Sequence, residues 1–286
     1  MPNLRERFGR PTRDGRAYHR ALLRLGYVLP PHRRPRPVWT PWVNRVLGSD
    51  AEVVVALAEL DACGLVAHRG RPKNWDLLVA LGSILERTDH RAAVLDMGSA
   101  RYSRVLPSLY AYGYRRLVGI DLVPMELPYP TMVEHLTMDL TATTFADGSF
   151  DAITCLSVIE HGVSPDAFAR EASRLLRQGG VVVLSTDFWC SPLDVAGKAA
   201  YGVPVHVLSP ADIEVWIEAA ARNGLTPVAP VELRCQDPVV RWSRVDLDFT
   251  FLNLVLVKGQ RPAWAFWRRG SYRRGSGSRP TATRTT

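Results

Sequence analysis

The sequence lacks several features that would place it quickly in a familiar class. No apolar run approaches the roughly 18 residues that a membrane-spanning helix needs, and the arginine-rich start has no apolar segment of a secretory signal behind it. The four cysteines, Cys63, Cys155, Cys190 and Cys235, show no Cys-x-x-Cys spacing. We therefore expect a cytoplasmic protein with buried free thiols rather than a zinc site or a disulfide framework.

Acidic residues are scarce at both ends of the chain. Residues 259–286 hold seven Arg and no acid, a charge of +7, and residues 1–40 hold ten Arg and two acids, a charge of +8. Because all 286 residues together carry +8, the residues between the ends carry −7. Basic ends suit phosphates or an anionic membrane surface, and they equally suit solvated tails. We predict an Arg/Pro-rich extension at 1–37, with a short helix near 18–25, and a partly disordered tail at 259–286.

What is present is a series of apolar strands that end in acids. The run Ala92–Asp96 leads into Gly98, and a second run ends at Asp121, 25 positions after Asp96. This pair describes the first βαβ unit of a nucleotide-binding sheet. The dinucleotide fingerprint carries three glycines, whereas this loop has one. The unit alone therefore leaves the ligand open.

The remaining elements alternate between strand and helix, which predicts a parallel sheet with helices on both faces. Asp139-Leu140 follows a third strand, and residues 150–161 read as a fourth strand with its exit loop. A helix capped by Ser164, a tight Gly179-Gly180 turn and a fifth strand come next. A helix opened by Ser209 and two strands, near 227–233 and 249–257, follow.

Two helices are predicted before the sheet. Ser49 and Glu52 form a capping-box pattern that opens a helix to about Cys63. A second, amphipathic helix runs from Asn74 to about Arg87, with its apolar residues on one side. We interpret residues 38–90 as a helical cap or lid and residues 91–258 as the main domain.

The whole series resembles the class I S-adenosylmethionine-dependent methyltransferases over about residues 75–257. The resemblance implies a Rossmann-like, seven-stranded, mostly parallel sheet with a terminal antiparallel β-hairpin, and S-adenosyl-L-methionine as cofactor. It also implies roles for individual residues. Asp96 anchors the first loop, Gly98 and Ser99 offer backbone amides to the amino-acid tail of the cofactor, and Asp121 binds the ribose. The predicted cofactor site is completed by Leu122, Asp139, Leu140 and Ser157.

The first loop departs from the family pattern, because the later glycine positions are Ala100 and Tyr102. Some small-molecule O-methyltransferases bind a divalent ion through Glu-x-x-Glu-His. Here Ser157 stands in place of the first acid, before Glu160 and His161, so we predict no metal.

Three residues are candidates for removing the proton of the acceptor. His161 lies at the carboxyl end of the fourth strand, and its unperturbed pKa suits hydroxyl deprotonation near neutrality. Asp187 precedes Phe188 and Trp189 at the end of the fifth strand, and His206 follows in the next loop. The alternative for His161 is a structural role, in which it hydrogen-bonds the loop that follows. The alternative for the segment after Asp187 is aromatic packing beneath a lid loop.

An Asn/Asp-Pro-Pro-Tyr segment, typical of enzymes that methylate nucleobase amines or glutamine amides, is absent after the fourth strand. Oxygen acceptors are therefore favoured. The stretches around Ser157–Gly162 and Ser185–Trp189 resemble methyltransferases of glycan assembly. We predict O-methylation of a sugar, a glycan or another hydroxylated small metabolite. The alternatives are a phosphate-rich acceptor such as RNA, and a domain that binds a partner without catalysis.

Overall fold

The computed structural model describes residues 34–37, 42–124, 132–200 and 202–259. The helices in these ranges are α1 (Asp50–Ala62), α2 (Lys73–Arg87), α3 (Val105–Ala111), α4 (Pro165–Leu175) and α5 (Pro210–Arg222). The strands are β1 (Ala93–Met97), β2 (Arg116–Asp121), β3 (Glu134–Thr137), β4 (Phe150–Leu156), β5 (Leu176–Phe188), β6 (Ala199–Ala200), β7 (Val203–Pro204), β8 (Leu225–Pro227), β9 (Val240–Trp242) and β10 (Leu247–Lys258). The predicted helix near residues 18–25 and all of the predicted basic tail beyond residue 259 lie outside the described residues.

The main sheet has the strand order β3-β2-β1-β4-β5-β10-β8, and β9 pairs with the opposite end of β10 from β8. Strands β1 to β5 are parallel, whereas β10 runs antiparallel to both β5 and β8. This arrangement confirms the predicted Rossmann-like, mostly parallel sheet with an antiparallel last strand.

The strand predicted at 227–233 is wrong in its position. Strand β8 ends at Pro227, and the chain then leaves β10 to meet the segment around Arg45, where the Glu232 N–H donates to the Asn44 carbonyl at 2.8 Å. The Val228 N–H still donates to the Val255 carbonyl at 3.0 Å, and Pro230, which has no N–H to offer a ladder, follows where the pairing stops.

The Gly179-Gly180 segment lies within the span of β5, but residues 177–180 have no partner on β4. Leu176 pairs with Phe150, the register then shifts, and Val181 pairs with Ala152. Gly179 takes a left-handed φ of 76° at this irregularity. The predicted turn is therefore a bend within β5.

The two faces of the sheet bury separate apolar clusters because successive strand residues point in opposite directions. Val94 and Val183 belong to the cluster under α1, α2 and α3, whereas Leu95 and Leu184 belong to the cluster under α4 and α5. This confirms helices on both faces.

Helix caps were predicted with mixed success. Ser164 caps α4 as expected, and Ser209 and Asp212 form a full capping box at α5. At α1 the predicted box is wrong, since the Ser49 side chain makes no capping hydrogen bond. The Glu52 carboxylate is instead paired with Arg45 and accepts the Gly48 N–H at 3.2 Å.

Helix α2 is buried on nearly every side, not on one face as the apolar spacing predicted. All residues from Asn74 to Leu85 are buried, including Asp76. The sheet covers one side of α2 and α1 packs over the other. Asp76, which lies within this buried stretch, is therefore shielded from bulk solvent.

The segment that precedes α1 is fastened to β10. The Asn44 N–H donates to the Asn253 side chain at 2.9 Å, and the Thr250 hydroxyl donates to the Leu47 carbonyl at 2.6 Å. The part of the predicted cap that the structure describes thus rests directly on the sheet. Its role in selecting a substrate stays a prediction.

Among the described residues, no helix combines the length and apolar character needed to cross a bilayer.

Candidate active site

A cavity of about 300 Å³ opens at the carboxyl ends of β1, β4 and β5, under the first turn of α2. Open α/β sheets bind their ligands at this edge. Strands β9 and β10 contribute an aromatic wall of Trp242, Phe249 and Phe251, whose neighbouring rings meet edge to face. The cavity therefore has a polar floor at the strand ends and an aromatic side.

The first loop brings its backbone against the loop after β4. Gly98 has a φ of 76°, and a Cβ at this position would lie 2.3 Å from the Val158 Cγ2 atom. Only glycine fits here. The N–H groups of Gly98 and Ser99 both donate to the Ile120 carbonyl, at 2.8 and 2.9 Å. These bonds hold the loop to β2, and in this conformation neither amide is directed at a ligand as predicted.

Asp96 is the buried anchor predicted for this loop. Its carboxylate lines the cavity and accepts the Thr154 hydroxyl at 2.6 Å. Burial raises the pKa of Asp96 to about 6, against the lowering effect of the hydrogen bonds from Thr154 and Ser99. His135 steadies the loop from β3, since its Nε2 atom lies 2.8 Å from the Ser99 carbonyl oxygen.

The other predicted cofactor residues lie beside the cavity rather than in its lining. Asp121 is half-buried at the end of β2, and its carboxylate accepts the Val123 N–H at 2.9 Å. Asp139 is exposed after β3, in a turn where its carboxylate accepts both the N–H and the hydroxyl of Thr141. These bonds lower the pKa of Asp139. Leu122 is exposed and Leu140 is buried.

Three buried carboxylates meet the cavity at its floor. Asp187 comes from β5, Glu160 from the short 3-10 turn after β4, and Asp76 from α2. The Asp76 carboxylate accepts the Ser185 hydroxyl at 2.7 Å, and the Glu160 carboxylate accepts the Thr186 hydroxyl at 3.2 Å. The floor is therefore acidic and mostly shielded from water.

Burial dominates the protonation of this floor. It raises the pKa of Asp187 to about 7, and the neighbouring charge of Glu160 pushes in the same direction. The pKa values of Glu160 and Asp76 are raised by burial as well, with Lys73 opposing the change in both. A carboxylate with a pKa near neutrality has the property that a general base requires.

Lys73 is the first residue of α2 and brings a cation into this acidic site. Its ammonium group donates to the Ser157 hydroxyl and lies 4.1 Å from the centre of the Phe251 ring. Ser157 has a φ of 52°, an uncommon conformation for a residue with a side chain. Its predicted place in the cofactor site stays a prediction, but it does line the cavity.

The structure separates the three predicted catalytic residues. Asp187 and His161 line the same cavity. Burial lowers the pKa of His161, and the charge of Lys73 lowers it further, whereas the charge of Asp187 raises it in part. His206 is exposed and lies outside the cavity lining. Within the described residues, no group of three or more His, Cys, Asp or Glu side chains is arranged to hold a metal ion.

The prediction of four free thiols is wrong. Cys190 and Cys235 form a disulfide, whereas Cys63 and Cys155 are buried and free as expected. The bridge joins the loop that leaves β5 to the segment before β9. It therefore links the strand that carries Asp187, on the floor of the cavity, to the strand that carries Trp242, on its aromatic side. The two cysteines lie 45 positions apart, and only the return of the chain past β8 brings them together.

Lys73, Asp76 and Glu160 were not predicted as site residues. One sequence signal could have found Asp76, because it is an acid inside the otherwise apolar stretch Trp75–Ile84 of α2. Glu160 directly precedes the predicted His161. No local signal marks Lys73, whose position depends on the packing of α2 over β4 and β5.

Comparisons with known proteins agree with this geometry. Residues 95–184 match a family described as a methyltransferase domain. The chain is 31% identical over 156 residues to a ubiquinone biosynthesis O-methyltransferase of Xanthomonas oryzae pv. oryzae, covering 45% of this chain and 60% of that protein. It is 42% identical over 53 residues to a protein of the same name from Psychrobacter cryohalolentis, covering 18% and 20% respectively. The chain thus spans less than two thirds of the curated relatives that it matches.

Among solved structures, geranyl diphosphate C-methyltransferase from Streptomyces coelicolor A3(2) superposes with a TM-score of 0.50 and 15% identity, over 86% of this chain and 100% of that one. At this identity the likeness supports the fold alone. Together, the matched domain and the strand order support the fold of a class I S-adenosylmethionine-dependent methyltransferase, with the methyltransferase domain at residues 95–184.

Proposed function

We propose that this protein binds S-adenosyl-L-methionine and transfers its methyl group to a hydroxyl oxygen of a small-molecule acceptor. The observation that carries the proposal is the buried Asp187 carboxylate, with a pKa of about 7, on the floor of a cavity that begins at the Gly98 loop. The name of the relatives, O-methyltransferase, supports an oxygen acceptor.

The residues of this chain suit that cofactor. The missing side chain at Gly98 lets the first loop close tightly on Val158 and brings the backbone to the cavity edge. Asp96 directs a carboxylate into the cavity, where an ammonium group could pair with it. Asp121 stands at the end of β2 with one carboxylate oxygen bonded to Val123, which leaves acceptor capacity for ribose hydroxyls.

Asp187 is the residue that we propose as the general base. The bound cofactor would supply an electrophilic methyl group on a sulfonium, and the electrons of the broken C–S bond would stay on sulfur as the acceptor oxygen took the methyl group. Asp187 would take the hydroxyl proton of that oxygen. The cavity holds the acceptor oxygen next to this carboxylate, and such positioning supplies much of the rate in displacements of this kind.

The aromatic wall favours a flat or ring-shaped acceptor, which can stack on it. A phenolic ring stacks on such side chains, and so does the apolar face of a sugar ring. The sugar or glycan acceptor predicted from the sequence therefore stays a proposal beside a phenolic one.

The test is isothermal titration of the protein with S-adenosyl-L-methionine and with its demethylated product. We expect micromolar binding, weakened about 10- to 100-fold in Asp121→Ala, the loss typical of one or two charge-assisted hydrogen bonds. Asp194→Ala is a matched control, because its carboxylate accepts the N–H two residues ahead, as that of Asp121 does. Absence of binding by the unaltered protein would favour the non-catalytic alternative.

A further inference from the structure

The amino group of Lys73 has an unusual combination of neighbours. Among the described residues, Ser157 is its one hydrogen-bond partner, and no carboxylate oxygen lies within the 4.0 Å that would make an ion pair. The Phe251 ring covers one side of the ammonium at 4.1 Å. An ammonium group has three donors, so Lys73 keeps donor capacity toward the cavity that it lines.

The charge of Lys73 is felt across the floor of the cavity. It lowers the pKa of Asp76, Glu160 and Asp187 by favouring their charged forms, and it lowers the pKa of His161 by disfavouring the imidazolium. Lys73 and these four groups all line the same cavity, and within the described residues no ion pair joins Lys73 to any of them. The backbone holds it there, since Lys73 opens α2 and the next residues, Asn74 and Trp75, are fully buried.

We propose that Lys73 is a catalytic residue that binds the acceptor oxygen and stabilises the negative charge that develops on it while Asp187 takes its proton. This inference rests on the proposed function and names its acceptor more closely. A fixed cation in a cavity with an aromatic wall suits a ring whose hydroxyl is acidic enough to ionise beside it, which is a phenol or catechol rather than a sugar. A cation fixed where charge develops needs no reorganisation during the reaction.

The first experiment follows the ionisation of 4-nitrocatechol, whose absorption spectrum distinguishes its protonated and ionised forms. We expect the unaltered protein to bind it as the anion at a pH where the free probe is largely protonated. Lys73→Met should still bind the probe but leave it protonated at that pH. Lys73→Arg should restore part of the shift toward the ionised form. Lys258→Met is the control, because its amino group bonds the Ser173 and Leu176 carbonyls away from the cavity.

An equal ionisation shift in Lys73→Met and in the unaltered protein would overturn the inference. Failure of the unaltered protein to bind the probe would overturn it too, because a cavity built around Lys73 for a phenolic ring must admit nitrocatechol. A loss of cofactor affinity in Lys73→Met, with probe ionisation unchanged, would place the lysine at the cofactor instead.

The second experiment uses turnover with two phenolic acceptors of different acidity. Removal of one preorganised donor at a developing oxyanion costs about 100-fold in kcat or more. We expect that loss for the less acidic phenol and a clearly smaller loss for the more acidic one, because an acceptor that ionises easily depends less on Lys73. Equal losses for both would indicate a merely structural role. If the unaltered protein transferred no methyl group at all, the proposed function would fail, whereas full activity in Lys73→Met would defeat only the inference.

Discussion

The two ends of the site are built in different ways. At the cofactor end, Asp96, Asp121 and Asp139 lie at or just beyond the carboxyl ends of three successive strands, within 45 residues of the sequence. At the acceptor end, Lys73, Glu160, Asp187 and Phe251 come from α2, the turn after β4, β5 and β10, and the outermost two are 178 positions apart. The first end is assembled by the regular order of a parallel sheet, the second by the packing of distant elements.

The carboxylates show what this difference does to chemistry. Asp139 sits in an exposed turn where the N–H and hydroxyl of Thr141 stabilise its charge, and its pKa falls. Asp187 is buried beside Glu160, and its pKa rises to about 7. Exposed Asp139 thus stays an anion, whereas Asp187 and the equally buried Asp96 of the cofactor end have raised pKa values, because burial disfavours the charged form.

The largest effect on turnover is expected from Asp187→Asn, which removes the base and leaves the shape of the floor nearly unchanged. We expect kcat to fall about 1,000-fold, within the range that general bases contribute, with cofactor affinity unaltered. His161→Gln should cost less, and His206→Gln should cost nothing, since His206 lies outside the cavity. Comparable losses in Asp187→Asn and His206→Gln would contradict the placement of the base.

The pH dependence of Asp187 sharpens the same prediction. The rate in the unaltered protein should rise with pH through about 7, as the carboxyl group loses its proton. Folding stability should move in the opposite direction, because the pKa of Asp187 is higher in the folded protein than in the unfolded chain. The contribution of Asp187 to the free energy of unfolding is complete below the unfolded pKa and is lost as the pH rises through about 7. Asp187→Asn should flatten the rate profile, measured as turnover against pH. It should only reduce the pH dependence of stability, measured by urea unfolding at several pH values, because the buried Asp96, Asp76 and Glu160 also have raised pKa values.

A smaller effect, confined to the cofactor end, is expected from Gly98→Ala. The left-handed φ costs about 1 kcal/mol for any side chain, and the collision with Val158 adds about 1 to 3 kcal/mol. We expect a loss of S-adenosyl-L-methionine affinity of about 10- to 100-fold, measured by titration. Gly224→Ala is the matched control, because Gly224 has a φ of 75° but no atom within 4 Å of the added Cβ. Equal destabilisation of both variants would show that the contact with Val158 does not matter.

The smallest effect on turnover is expected from the double change Cys190→Ser and Cys235→Ser. Opening a disulfide across 45 residues lowers the free energy of unfolding by about 2 to 4 kcal/mol. Because the bridge ties acceptor-side loops, we expect a several-fold rise in the acceptor KM and unchanged cofactor affinity. A reductant should reproduce this change in the unaltered protein and have no effect on the double variant. A selective loss of cofactor affinity would break the distinction between the two ends.

The features that could be predicted from the sequence are those of the parallel sheet, and the features that could not are those produced by the packing of distant elements. The strands β1 to β5 and the acids at their ends could be predicted because a buried parallel strand is a short apolar run, and its carboxyl end has a fixed place in the sheet. The position of β8 could not, since the chain leaves β10 after Val228 and turns to Arg45. The burial of α2 on all sides was missed because helical periodicity shows an apolar face but not how many partners cover it.

The sequence by itself determined the order of strands and helices, the acids at the strand ends and the single loop glycine, Gly98. Each of these depends on local preference and spacing within a few dozen residues. Only the tertiary structure decided that Lys73 faces Asp187 across one cavity, that Asp76 is buried, and that Cys190 meets Cys235. The physical reason is that proximity between distant segments, and the desolvation that shifts a pKa, exist only once the chain has packed.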